Sequence, residues 1–396
     1  MLQHGFDCRC KCKSRQRIGS ALDRKGAILV RVEIMGRPRA KDRRVRRISL
    51  QAACTFAVLL ATARAGAQRA APSRPSEASP PWSLDLTISD VGIGVGNSRR
   101  IDGLRLNVTD ATPFVVNGVN LTLWVPQEHG GGRVSGLALG LPLTGARDLA
   151  GVGVGVGLGA EESIAGLALG VIGVGTGEDI SGLTIGGIGA GAGHDLRGVT
   201  VAGLGGGAGG SVYGLSVGGL GFGAGEDIVG LTLAGIGAGA GGSVRGVSVG
   251  GLGLGAGHDL DGISLAVGAL GAGEHVRGLM IAGLGMGAGG SLSGVGLAGL
   301  GLGAPALDGV AIALVEGAKD ARGVFLAPAW FEIVDGGSVE GVSVSAVNRI
   351  RGEQRGLAIG VVNYARSLHG VQIGLLNWAD NSSLLKLMPL VNVHVD

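Results

Sequence analysis

From Gly182 to Gly294 a glycine followed by an aliphatic residue returns every sixteen positions, at Gly182, Gly198, Gly214, Gly230, Gly246, Gly262, Gly278 and Gly294. Successive units read GLTIGGIGAGAGHDLR, GVTVAGLGGGAGGSVY and GLSVGGLGFGAGEDIV. A unit this short cannot bury its own apolar face, so it must stack on its neighbours. That requirement constrains the fold more than any other property of the chain.

Numbered from the leading glycine, positions 2, 4, 7 and 15 are Leu, Ile or Val in nearly every unit. Position 3 is mostly Ser or Thr, positions 6, 8, 10 and 12 mostly Gly, and position 11 mostly Ala. Alternation over positions 2 to 4 is a strand signal. The phase slips between 4 and 7, where small residues permit a bend or bulge. Positions 12 to 14 combine Gly with His, Asp, Glu or Ser, which is turn chemistry. A helix is excluded, because glycine costs roughly 1 kcal/mol per residue relative to alanine. Collagen is excluded because glycine does not fall on every third residue.

The pattern predicts an all-β fold, a β-solenoid of about 16-residue coils with irregular N-terminal and C-terminal caps. Each coil would pair in parallel with the next at about 4.8 Å, so that like positions stack into columns. On this reading Leu183, Val199, Leu215, Leu231 and Val247 form a buried column. Thr184, Thr200, Ser216, Thr232, Ser248 and Ser264 then form an outward ladder of hydroxyls. The alternative is an antiparallel outer-membrane β-barrel, a pore or surface barrel with one strand per unit. That needs about 9–11 alternating residues per strand and aromatic girdles. The phase slip breaks the alternation, and aromatic residues are 3% of the chain. The turns do alternate over two units, with His194-Asp195, Gly210-Ser211, Glu226-Asp227, Gly242-Ser243 and His258-Asp259. A barrel meander would produce that alternation, and so would a solenoid in which Ser-bearing coils separate charged ones.

The rest of the chain divides by composition. Residues 1–34 resemble nothing that follows, and Cys8, Cys10 and Cys12 are too closely spaced for a zinc knuckle. They read as an upstream extension translated from a start placed too early. Residues 35–67 have the layout of a signal peptide: a basic stretch from Arg37 to Arg47, an apolar run from Ile48 to Ala63, and Ala65 and Ala67 set for cleavage before Gln68. Residues 68–81 are a Pro/Ser/Ala-rich linker. Residues 82–135 supply N-terminal strands, 136–385 the repeats and 386–396 a capping strand.

This division reverses the charge argument. Of 33 basic residues 16 lie in residues 1–67, and of 30 acidic residues 4 do, so residues 68–396 carry 17 against 26, a net −9. The net +3 of the whole chain belongs to the leader and gives no reason to expect a nucleic-acid partner. All four cysteines also lie in the leader, so stability after cleavage must come from stacking.

Toward the C-terminus the units Gly341–Asn348, Gly356–Asn363 and Gly370–Asn377 place Asn at position 8, suited to an asparagine ladder. The segment Pro328–Phe331, with Trp330, reads as a protruding loop or bulge. GLAIGVVNYARSLHGVQIGLLNWADN, followed by a Leu-Met-Pro-Leu-Val-Asn tail, resembles uncharacterised bacterial surface-repeat proteins with Gly-aliphatic-x-aliphatic-Gly-x-x-Asn units. VNGVNLTLW and SGLALGLPLTGA are similar to the N-terminal units of such proteins. The likeness covers most of residues 100–396 and implies export to a surface or envelope setting; it carries no activity and no catalytic residues. The central units depart from it, with Gly in place of Asn.

Few residues suggest chemistry. The turn residues Glu178, Asp179, His194, Asp195, Glu226, Asp227, His258, Asp259, Glu274 and His275 are the one polar cluster. In Gly193-His194-Asp195 the aliphatic residue follows one place too early for a calcium β-roll, so no metal or other cofactor is expected. A carbohydrate-active β-helix would need a non-repeating group of acids and bases, which these units lack. The sequence therefore predicts a non-catalytic, exported envelope protein with a structural or adhesive role. A glycan, an envelope component or another copy of the chain would be its partner, and a membrane only if the chain were a barrel.

Overall fold

The computed structural model describes residues 82–109, 114–124, 132–382 and 385–394, together with two strands nearer the N-terminus. The chain separates into two units, 1–78 and 79–396. In the first, Ile18–Leu22 pairs antiparallel with Ile28–Val32. The leader, its cleavage site at Ala65, Ala67 and Gln68, and the linker lie outside the described residues.

The second unit is a β-solenoid, and no described residue is helical. Each regular coil contributes a strand of seven or eight residues and a second of four, as in Leu196–Ala202 and Gly205–Ala208. Like strands pair in parallel with a shift of one repeat: Gly198 lies between Gly182 and Gly214, and Gly207 between Gly191 and Gly223. Parallel neighbours exclude the barrel alternative, which requires antiparallel ones. Coils begin earlier than the regular spacing implies, since Gly92, Gly103 and Gly118 already stand in the column that continues to Gly136.

That column holds nineteen glycines from Gly92 to Gly370, each with positive φ. A Cβ on Gly230 would lie 2.2 Å from the carbonyl oxygen of Gly214. The same clash recurs all along the column, because each glycine sits under the carbonyl of the previous coil. Stacking at this spacing, in this conformation, leaves room for hydrogen only. The glycines at positions 6 and 12 are crowded in the same way by carbonyls of the previous coil, for example Gly203 and Gly193.

Side chains at positions 3, 5, 9, 11 and 15 form the core. Ile180, Leu196, Val212, Ile228, Val244, Leu260, Val276 and Leu292 at position 15 are buried, as expected from sequence. The position 3 hydroxyls are not an outward ladder: Thr184, Thr200, Ser216, Thr232, Ser248 and Ser264 are all buried. The aliphatic column is correspondingly outside, with Leu183 at 39%, Leu231 at 38% and Val247 at 38% exposure. The expected phase is therefore inverted. From position 15 through the leading glycine to position 5 the backbone is one continuous strand, so position 15 shares a side with 3 and 5, and 2 and 4 take the other. Position 5 holds nothing larger than Ala from Gly186 to Ala298, so the interior is narrow there. Packing compensates between coils: the Phe222 ring occupies the space that a Cβ on Gly206 would need.

Both ends are closed by reversed strands. Ser83–Ile88 pairs antiparallel with Val91–Gly96 at one end. Leu387–His394 pairs antiparallel with Gly370–Trp378 at the other. Reversal, with Pro389 in the last strand, prevents further parallel coils from adding. Inside the first coils Arg105 is fully buried, with its guanidinium 4.1 Å from the Phe114 ring centre and Nη1 donating to Asn120 Oδ1. Near the other end Asn348 Nδ2 donates to Asn363 Oδ1 and Asn363 Nδ2 to Asn377 Oδ1, each at 2.7 Å, which forms the expected ladder inside the core. Pro328–Phe331 does not protrude. It continues the strand, and Phe331 is buried in a stack on Phe325 with ring centres 5.4 Å apart. The added length of that coil is taken up near Gly336, whose surroundings are open.

Candidate functional site

Two features of the outer surface are built by the repeat. The first is an aliphatic face. In all nineteen coils from Gly92 to Gly370, the residues at positions 2 and 4 are Leu, Ile or Val, without exception. They run from Ile93 and Val95 through Leu231 and Leu233 to Val371 and Ile373. The capping strands extend both columns, with Leu86 opposite Ile93, Leu84 opposite Val95, Val393 opposite Val371 and Val391 opposite Ile373. A third aliphatic column at position 7, including Ile188, Leu204, Leu220, Ile236 and Leu252, borders the face at 47–68% exposure.

The second feature is the polar corner at positions 13, 14 and 16. Asp179 Oδ1 accepts the Asp195 N–H at 3.0 Å, and Asp195 Oδ1 accepts the Ser211 N–H at 2.8 Å. Ser211 Oγ accepts the Asp227 N–H at 3.4 Å, and Asp227 Oδ1 accepts the Ser243 N–H at 2.7 Å. From Asp179 to Asp227 each position 14 side chain thus serves the backbone of the next coil. Asp and Ser are the short acceptors that can reach this N–H. Asp179 and Asp195 stack directly, with Arg197 between their charges; from Asp195 to Asp259 Ser alternates with Asp and separates the carboxylates. The two-unit periodicity of the turns has this hydrogen-bond role.

Two groups at this corner contain donor sets of the kind that hold a metal ion: Asp179, His194 and Asp195, and Asp259, Glu274 and His275. In the first, Arg197 already supplies positive charge, 2.6 Å from Asp195 and 3.8 Å from Asp179. In the second, Arg277 lies 3.7 Å from Asp259, His258 contacts Glu274 at 3.0 Å, and His275 contacts Ser291 at 2.8 Å. The hydrogen bond and charge of Glu274 raise the His258 pKa. These are coil-to-coil ties along the corner.

Elsewhere the titratable groups form further ties. At Glu332 burial raises the pKa, but hydrogen bonds from Arg351 and Trp330 prevail and hold it low. Asp380 is held low by hydrogen bonds from Trp378 and Tyr364, and the bond to its carboxylate raises the Tyr364 hydroxyl in turn. Glu316 is different. It is fully buried in the column that holds Leu302, and burial pushes its carboxyl up to about 8, with the Ala313 backbone offsetting part of that. One shallow hollow of about 420 Å³ lies beside Trp82, Leu106 and Leu123 and is lined by no acid or base.

The aliphatic face was legible as residues but assigned to the wrong side. The missed signal is parity: an inward position 15 requires inward positions 3 and 5 when no bulge intervenes. Comparison with protein-family models, with curated proteins and with solved structures finds no match.

Proposed function

We propose that the protein is an exported, non-catalytic structural rod of the envelope that works by laying its aliphatic face against another apolar surface. The observation that carries this reading is the unbroken pair of outward Leu, Ile and Val columns. At about 4.8 Å per coil the face is about 85 Å long, and four residues across make it about 13 Å wide, on the order of 1,000 Å². Soluble monomers rarely expose a contiguous apolar patch beyond about 300–600 Å². Exposure on this scale in every coil points to a covered surface rather than to scattered surface residues.

Two further points support the reading. The charged side chains of the corner are spent on ties between coils, and the units are too alike to gather a reaction centre. Export rests on the signal-peptide layout before Gln68. Mass spectrometry of the protein recovered from the cell-envelope fraction tests it, with a mature N-terminus at Gln68 expected. Recovery of an uncleaved chain from the cytosol would refute export. Docking is tested by retention on an octyl-substituted resin, where replacing Leu231, Leu233, Val247 and Val249 together with Lys should abolish retention. Equal retention of parent and variant would refute the role of the face.

A further inference from the structure

The aliphatic face invites a specific occupant, and this step rests on reading it as a docking surface. We infer that it is covered by the same face of a second copy, running antiparallel. Its area, on the order of 1,000 Å², exceeds the roughly 800 Å² per partner of a standard stable interface. The occupant must be flat, long and apolar, with nothing to pair, because the face presents no polar side chain at positions 2 and 4. A second copy meets each requirement: two such faces pack as two sheets about 10 Å apart, with ladders of equal spacing interdigitating.

Charge weighs against an anionic lipid surface, and it also sets a mutual repulsion between copies that the apolar contact must exceed. Residues 82–396 contain two lysines, Lys319 and Lys386, and more acidic than basic residues, so an anionic bilayer repels the rod. Charge also sets the direction. Residues 82–195 hold five basic against eleven acidic residues, net −6, and residues 294–396 hold seven against nine, net −2. A parallel pair sets −6 beside −6 along one end, whereas an antiparallel pair sets −6 beside −2 at both. The two-fold axis then passes near Leu231 and Leu233, which belong to the tenth of the nineteen coils, and the pair is closed.

Sedimentation velocity of the full chain over a micromolar concentration series tests the proposal. The expected result is a species of twice the chain mass that becomes monomeric, with its circular dichroism retained, on joint replacement of Leu231, Leu233, Val247 and Val249 with Lys. A Gly239→Ser/Gly255→Ser control on a different side of the coil should leave the pair intact, since a Cβ there lies 3.5 Å and 4.0 Å from the nearest atom. A monomeric parent, or a pair that survives the four lysines, overturns the proposal. A monomeric parent still held by the octyl resin through these residues overturns only the second copy; one not held overturns the docking reading as well. Direction is read by mixing L104C and L357C chains whose four native cysteines are Ser. Cross-linking of L104C to L357C is expected, and L104C linked to itself overturns the antiparallel arrangement. Co-flotation of the chain with phosphatidylcholine vesicles as a monomer assigns the face to lipid and also overturns it.

Discussion

Replacing Gly230 with Ala asks whether the leading glycine is required by stacking or is a compositional habit. Gly230 has φ of 129°, a conformation nearly closed to residues with a Cβ. Its Cβ would lie 2.2 Å from the Gly214 oxygen, 2.9 Å from its carbon and 3.1 Å from its Cα. All three are backbone atoms, so no rotamer change relieves the contact. Restoring ordinary contact requires the two coils to part locally by about 1 Å, which weakens the ladder hydrogen bonds on either side. The backbone conformation costs about 1–3 kcal/mol, and two or three weakened hydrogen bonds add about 1 kcal/mol each. The sum is roughly 3–6 kcal/mol. Gly239 provides the contrast within the neighbouring strand: its Cβ would lie 3.5 Å from the Gly255 oxygen, and its φ lies outside the left-handed region. Gly239→Ala should therefore stabilise by about 0.4–1 kcal/mol through the unfolded chain. Urea unfolding followed by far-ultraviolet circular dichroism reads both variants. Equal midpoints for the two, or a Gly230→Ala midpoint within 1 kcal/mol of the parent, would refute the account of the column.

Three other outcomes are expected. Burial pushes the Glu316 carboxyl up to about 8 from an ordinary 4.5, so its neutral form favours folding; that contribution is complete below about pH 4.5, falls progressively as pH rises from 4.5 to 8, and is gone above 8. By linkage the loss is about 3 kcal/mol at pH 7, so Glu316→Gln should match the parent at pH 4 and exceed it by that amount at neutrality. A stability difference between variant and parent that does not change with pH would contradict the burial argument. Asn363→Ala removes the Oδ1 that accepts from Asn348 Nδ2 and the Nδ2 that donates to Asn377 Oδ1, and should cost about 2–4 kcal/mol in urea unfolding. Asp195→Ala removes the acceptor for the Ser211 N–H and the Arg197 partner, costing about 1–2 kcal/mol. Asp195→Asn keeps the acceptor and should recover about half.

The repeat itself was sufficient to determine the architecture. A sixteen-residue period cannot close a core alone, and its phase slips and glycines prevent long alternating strands. Parallel stacking follows, and it brings Gly182 over Gly166 and Asn363 over Asn348 without further information. The inward position 15 column and the asparagine ladder were legible for the same reason, since identical positions must meet. What sequence alone did not decide was which side of each strand faces in. Alternation defines two sets of residues, parity with the inward position 15 selects the Thr set only if no bulge intervenes at the leading glycine, and hydrophobicity alone favours Leu183 and Leu231 over Thr184 and Thr232.

Tertiary structure reversed that choice because a sixteen-residue coil encloses little space. The leading glycine leaves the strand unbroken from position 15 to position 5, which links the Thr side to the buried Ile and Leu of position 15. In most central coils Thr, Ser and Ala fill positions 3 and 5, larger side chains such as Met280 and Phe325 enter singly, and the Leu, Ile and Val of positions 2 and 4 take the outer side of the same strand. The partner turns at Asp195 and Ser211 show the same division: their residue types were plain, but only the stacked backbone revealed which N–H each one serves.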